Sequence, residues 1–570
     1  MKHLVNTVVL GTALTTTVVA APLDVGAFNV NNSNIGDASV WINQGIRDAI
    51  ARGQSEYVIP AGVYDVRDNI VLPPGTRNFT LRGAGSQATV FTTRSRVMDQ
   101  IIEIGTQTPI HNNWGISNRP TQNVRPVTSG SVFVTLQNSA NIEPGWYALW
   151  DDYAVVASKP PHERQMNRLE LVEVISYDAN RRRARLRQGV GRDYRVNPKL
   201  SDMRNALTHN ITVRGFGMVG SVNESTQASD GIVQAGLTVG LRLDDLRVRT
   251  FGHRAILLNA VRDALVTNTD VADAVDRSIG RGYGLTMHRC RFVTVTDSIA
   301  TNTRHAFVGH AGTMDVHWER LQARGPDNNL DTHGFDERRF TIVNSFGEGG
   351  VLIGNPNWLG GARDIVIRNC TFLDYVVVNP NVRGVRVINS VVGRLMYNSA
   401  RGNTGTPNMG YADSITFQDT TFRYPSDMIY EAPEGGSFTF TRCRFEQTRQ
   451  TWGSVARLNE TNARFTFNNS LFVSRSTRSQ DVPIIVSTPQ RSFRLTIRDS
   501  RLKTSAAAVN AVRANELVTG TISIRGNRFA STHRGQLRFL DNRSTRARVT
   551  DTANTTEGQQ TIPPALDQIP

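Results

Sequence analysis

Apolar and polar residues alternate over short stretches that recur through the second half of the chain. The recurring octapeptide reads apolar-x-apolar-x-(Asn/Asp)-(small or Cys)-x-apolar, with some slack at each slot. Copies begin at Val293 (VTVTDSI), Val316 (VHWERL), Phe340 (FTIVNSF), Ile365 (IVIRNCTF) and Val385 (VRVINSVV). They continue at Ile415 (ITFQDTTF), Phe438 (FTFTRCRF), Phe465 (FTFNNSLF), Leu495 (LTIRDSRL) and Ile522 (ISIRGNRF). The intervals are 23, 24, 25, 20, 30, 23, 27, 30 and 27 residues, and weaker copies at Ile211 and Leu241 extend the series backward. A period of two places one face of each stretch in a core. A recurrence of this length fits one turn of a coil of short strands that must stack on its neighbours. The Asn or Asp after most strands suits a left-handed bend, where a short polar side chain bonds the backbone. The pattern predicts an all-β fold, a parallel β-helix or β-solenoid, over 199–535.

Upstream, Ser39 to Arg52 carries Ile42, Ile46, Ala49 and Ile50 on one helical face, which predicts an amphipathic capping helix. The cap and first coils are expected over 28–129. Residues 130–198 break the repeat with Val132–Leu136, Gly145–Trp150, Leu171–Ile175 and Ala184–Leu186, read as a small antiparallel β insertion able to flank a groove. Residues 545–570 read as a polar tail. Residues 1–21 combine Lys2 and His3, the apolar Val8-Val9-Leu10 and a small-residue end at Ala20-Ala21, the pattern of a short secretory signal peptide. Five threonines weaken its apolar region, so a β-forming anchor of a particle protein stays open.

The formal net charge is +15, and only four of the 64 basic residues are lysine. Guanidinium binds carboxylate, sulfate or phosphate bidentately, so a polyanionic partner fits; a GC-rich genome accounts for the arginine equally well. No basic aromatic stripe marks a nucleic-acid groove, and no twenty-residue apolar run after the N-terminus marks a membrane span. Cys290, Cys370 and Cys443 form no metal-spaced set and are expected as buried free thiols. The last two share one repeat slot three rungs apart, too far for a disulfide.

Residues 36–91, with Ile59-Pro60-Ala61-Gly62-Val63-Tyr64 and Leu81-Arg82-Gly83-Ala84-Gly85 after the helix, resemble the N-terminal cap of the pectate-lyase-like superfamily. The resemblance implies a right-handed β-helix plugged by a helix. It leaves the chemistry open, because lyases, hydrolases, epimerases and viral tailspikes share that fold.

Candidate chemistry concentrates between 293 and 340. Arg304-His305-Ala306-Phe307 and Asp331-Thr332-His333-Gly334 fall on successive rungs of one lateral sheet, with His310, Arg338 and Arg339 nearby. Alternation puts Asp331 and His333 on the same face, expected toward solvent unless a polar ladder satisfies them. His305, His333, Asp331 and Arg304 are the catalytic candidates. Arg338, Arg339, His310 and Tyr283 are the substrate-binding candidates, and rung-capping polar ladders are the bland alternative. No Lys lies between 199 and 503, so a lyase would use Arg or His as base, with Tyr283 or a histidine as acid. A hydrolase would pair Asp331 with Asp336 or Asp315. Asn268-Thr269-Asp270 and Gly309-His310-Ala311 match hydrolase motifs only in part. No cofactor is required; calcium would need a carboxylate cluster, for which Asp270, Asp273 and Asp276 are the candidates.

These readings point to a secreted or surface protein acting on an acidic polysaccharide, first as a lyase. A glycoside hydrolase and a non-catalytic adhesin or tailspike subunit are the alternatives. The expected state is a monomer, or a homotrimer on a virion tail.

Overall fold

The computed structural model describes residues 36–557 except 94–99, 107–115, 117–118, 152–167, 221, 224–226, 229, 279, 326–328, 333, 335, 355–360, 380, 398–411, 424–435, 448–454, 459–462, 476–482, 487–491, 505–509, 516–517, 532–537 and 544–546. The signal-like segment 1–21 therefore lies outside the described residues.

The chain forms the expected right-handed parallel β-helix, a solenoid of about 14 turns. A typical turn has three strands. Arg291–Thr296, Ile299–Thr301 and His305–His310 make one turn; Met314–Glu319, Gln322–Arg324 and Asn329–Thr332 make the next. Each strand pairs in parallel with its counterpart one turn later, Val293 with Val316, Ala300 with Ala323 and Phe307 with Leu330. The coil thus has three long parallel sheets. The first runs from Glu56–Val58 to Ala547–Thr552. The segments at 365 and 385 pair in parallel, Ile365 with Val385.

Alternation decides which side chains enter the core. Val316, Trp318, Phe340, Ile342, Ile365 and Ile367 are all buried on the first sheet's inner face. Each such burial removes about 1.5–3 kcal/mol worth of apolar surface from water. In the later rungs phenylalanines stack in columns, Phe440 on Phe417 at 5.1 Å and on Phe467 at 4.7 Å between centroids.

The bend after each first-sheet strand is where the repeat's Asn or Asp sits. Asn344, Asn369, Asn389, Asp419, Asn469 and Asp499 all have φ between 46° and 55°. Asn344, Asn369 and Asn389 form an amide ladder up the outside, Asn369 Nδ2 donating to Asn344 Oδ1 at 3.3 Å and Asn389 Nδ2 to Asn369 Oδ1 at 2.9 Å. The small residue that follows turns inward. Ser390 Oγ accepts from Cys370 N at 3.2 Å, Ser470 Oγ from Cys443 N at 3.3 Å, and Asn527 Oδ1 from Ser500 N at 2.8 Å. Cys370 and Cys443 occupy this slot, and all three cysteines are free and buried.

The helix spans Ala38–Ala51, begins at an Asp37 cap that accepts from Ser39 N, and buries Ile42, Ile46 and Ala49 against the open end of the coil. The insertion is a six-stranded antiparallel sheet whose strands run from Thr121–Asn123 to Lys199–Asp202, wider than the predicted 130–198. Trp150, Leu171 and Leu207 of this region share an apolar cluster with Leu237 and Ala260 of the coil. The coil also outlasts its predicted end at 535. Ala547–Thr552 and Thr555–Glu557, read from sequence as tail, each pair in parallel with the preceding turn. No helix among the described residues is long and apolar enough to cross a membrane.

Candidate functional site

Register places Arg254, Tyr283 and His305 one above another at the start of three successive third-sheet strands. The rings of Tyr283 and His305 stack, with centroids 5.1 Å apart and planes 12° apart. One turn later, Asp331 pairs with Val308 on the strand face opposite the core residue Leu330. Its Oδ2 lies 3.0 Å from His305 Nδ1. The Arg304 guanidinium sits 5.9 Å from the Tyr283 ring centroid and donates to Ser278 O at 2.9 Å. Four of the sequence-predicted residues therefore converge: Tyr283, Arg304, His305 and Asp331.

Burial shapes their chemistry. Asp331 has no solvent exposure and His305 only 7%. The expectation that Asp331 faces solvent is thereby corrected: it lies on the outer strand face but is covered, and His305 partners it. A proton on Nδ1 would face the carboxylate and leave Nε2 as the basic nitrogen. Burial raises the Tyr283 phenol above its ordinary value; Arg304 opposes that shift and Asp331 reinforces it. The phenol stays protonated at neutral pH. His333 lies outside the described residues.

Arg338 and Arg339 belong to a different assembly. Arg338 Nη2 pairs with Asp336 Oδ1 at 2.6 Å, and Asp336 also faces Arg192 at 3.4 Å and Arg168 at 3.9 Å. Arg339 Nε pairs with Asp315 at 2.5 Å, and its Nη1 donates to Gly191 O at 3.1 Å. Arg291 bridges Asp315, at 2.7 Å, to the buried Glu170. Burial alone would raise the Asp315 carboxyl, but Arg339 and Arg291 hold it below its ordinary value. This seam fastens the insertion to the coil and holds Arg338 and Arg339 in ion pairs, outside the contacts that join Tyr283, His305 and Asp331. His310, at the far end of its strand, packs against His288 with ring centroids 5.0 Å apart.

The hydrolase pairing fares no better. Asp315 and Asp336 are neutralised by arginines, and Asp331 is held by His305. The partial motif at 268–270 is a coil bend, with Asn268 Nδ2 donating to Asp244 Oδ1 at 2.9 Å. The residues proposed for calcium do not make a cage. Asp270 pairs with Arg249, Asp273 accepts from Asn302 at 3.0 Å, and Asp276 pairs with Arg281 at 3.1 Å. Among the described residues no three His, Cys, Asp or Glu converge.

A groove that the repeat pattern does not reveal lies on the first sheet's outer face. It is shallow and open, offers about 400 Å³, and is lined by Asn210, Thr212, Arg242, Asp263 and Leu265 among others. Burial raises the Asp263 carboxyl in spite of neighbouring Arg262, and Glu173 of the insertion adds to the shift. Its lining comes from three successive turns of the coil, which the register sets side by side.

No known protein family and no curated protein matches the sequence. Solved structures do match in outline. The tailspike gp61 of Pseudomonas phage phi297 is 12% identical over 87% of this chain and 72% of its own, with a TM-score of 0.45. The tailspike gp49 of Pseudomonas phage LKA1 is 13% identical over 90% and 73%, with a TM-score of 0.41. The surface adhesin PfbA of Streptococcus pneumoniae is 11% identical over 93% and 91%, with a TM-score of 0.37. The class defined here is the parallel β-helix, and it rests on the strand register of this chain.

Proposed function

We propose that the protein acts on an acidic polysaccharide, as a lyase working by β-elimination at the Tyr283–His305–Asp331 cluster. The observation that carries this reading is the 3.0 Å contact of His305 Nδ1 with Asp331, beneath a stacked, protonated Tyr283 and beside Arg304. Arg304 pairs with the uronate carboxylate and stabilises the charge that develops as the C5 proton leaves. His305 Nε2 takes that proton, and the buried Asp331 carboxylate steadies the imidazolium so formed. The C5 electron pair becomes the C4–C5 double bond, the C4–oxygen bond breaks, and Tyr283 protonates the departing oxygen. The product is an unsaturated uronate and a new reducing end. The setting is extracellular, at a cell surface or on a virion tail, with a monomer or homotrimer as the working unit.

Incubation with a panel of uronic polysaccharides, followed by ultraviolet absorbance and reducing-end assays, tests the reading. His305→Gln keeps a donor for Asp331 but removes the base, and should lower turnover at least 100-fold, as should Tyr283→Phe. New reducing ends without unsaturation would make the protein a hydrolase and overturn the lyase reading. The near enclosure of His305 and Asp331 favours a second reading, polysaccharide binding without turnover. Saturable binding with no product on any substrate would establish that one.

A further inference from the structure

We infer that the outer face of the first sheet in the last four turns is a docking surface for an anionic polysaccharide, separate from the Tyr283 cluster. Four strands build it: Ala463–Asn468, Ser492–Arg498, Thr519–Arg525 and Ala547–Thr552. Their inward residues, such as Phe465, Phe467, Leu495, Ile497, Ile522 and Ile524, are buried. The outward residues fall in three columns. One runs Arg464, Arg494, Thr521, Arg548, the middle one Thr466, Thr496, Ser523, Thr550, and the third Asn468, Arg498, Arg525, Thr552. Five guanidiniums and a row of hydroxyls thus stand on one flat face, with no carboxylate at an outward position.

Two observations support this surface. Arg464 lies directly beside Arg494 and Arg498 beside Arg525, at the strand spacing of about 4.8 Å. Like charges in such pairs weaken a sheet, so folding does not account for them. Elsewhere the coil neutralises an exposed bend arginine with an aspartate one turn below, Arg320 with Asp297 at 2.6 Å and Arg442 with Asp419 at 2.7 Å. None of Arg464, Arg494, Arg498, Arg525 and Arg548 has an ion-pair partner among the described residues, and all five side chains are exposed.

The ligand chemistry follows from what stands between the arginines. A linear polyanion with closely repeated carboxylate or sulfate groups matches guanidiniums set on successive turns, and Thr, Ser and Asn side chains complement sugar hydroxyls. No aromatic occupies an outward position, so the stacking that holds single-stranded nucleic acid is missing. This inference shares with the proposed function only the acidic-polysaccharide class.

The test uses the full-length protein with polygalacturonate and dextran sulfate, measuring binding by calorimetry at 50 and 200 mM salt. The quadruple change R464Q/R494Q/R498Q/R525Q should weaken binding at least tenfold and flatten its salt dependence. A control that removes four exposed charges elsewhere, R47Q/R52Q/R181Q/R185Q, should change it less than twofold. Equal losses in both would mean that net charge alone attracts the polymer and would overturn the surface. Single-stranded DNA bound as tightly as the sugars, and lost with the same four arginines, would overturn the polysaccharide assignment. His305→Gln should retain binding while losing turnover, so failure of the lyase reading and failure of this surface give different results. Circular dichroism of the quadruple variant checks the fold, and relief of like-charge contacts predicts an unchanged or higher midpoint.

Discussion

The imidazole Nδ1 of His305 lies 3.0 Å from Oδ2 of Asp331, a carboxylate with no solvent exposure. The two residues are not equivalent in what their loss exposes. His305→Ala strands a buried carboxylate, which costs about 3–5 kcal/mol. Asp331→Asn leaves the imidazole beside an amide and should cost about 1–3 kcal/mol. Urea unfolding of both variants beside the wild type measures the order, and a reversed order would show that water reaches the carboxylate.

Glu337 gives a pH dependence of definite sign. It is fully buried, accepts from Gly312 N at 3.0 Å, and burial raises its carboxyl well above the ordinary 4.5. The folded protein therefore keeps a proton that the unfolded chain releases above 4.5. Stability from this group is fully present below that value and is lost as pH rises through the folded value. Glu337→Gln keeps an acceptor for Gly312 without the ionisation. Its melting temperature should match wild type below pH 4.5 and exceed it at pH 8, as thermal scans across that range would reveal.

The thiols should be inert in the native state. Burial pushes Cys290 and Cys443 up to about 12 and Cys370 to about 11. At pH 8 the thiolate fraction is negligible, and no reagent path is open without unfolding. Ellman's reagent should leave all three unmodified for hours and react with three equivalents in guanidinium.

Phe440 sits within the aromatic column between Phe417 and Phe467. Phe440→Ala should destabilise its region by about 3–5 kcal/mol. Because each turn touches mainly its neighbours, hydrogen exchange should accelerate in the turns around 415–470 and change little around 293–340.

Asn369 bends the chain at φ 55° and carries one step of the amide ladder. Asn369→Gly keeps the backbone and loses the ladder; Asn369→Val strains the backbone as well. The valine variant should be less stable than the glycine variant by about 1–2 kcal/mol, measurable by chemical denaturation.

The coil itself was legible in the chain because its rule is local. Alternation at Val316, Phe340 and Ile365 states which face is inward, and the polar residue after each strand states where the chain turns. Both signals act within about eight residues, so they survive in linear text. The capping helix was legible for the same reason, from the spacing of Ile42, Ile46 and Ala49. The inner ladder was half legible: the shared slot of Cys370 and Cys443 showed that they point into the core, whereas their hydroxyl partners Ser390 and Ser470 appear only when the turns are stacked.

The charged side chains were not legible in this way. Arg338 and Arg339 sit two and three residues past Asp336, on the next rung from His305, and in sequence they read as part of its cluster. In space the insertion brings Glu170, Gly191 and Arg192 against the same strand ends, so one arginine shares Asp336 with Arg192, 144 residues away in sequence, and the other bonds Gly191. The same holds for the arginine columns at 464–548, which exist only because register sets residues of successive turns side by side. Periodicity records whether a side chain points in or out. Which charge it meets depends on through-space distance between segments far apart in the chain, and only the stacked coil with its docked insertion sets those distances.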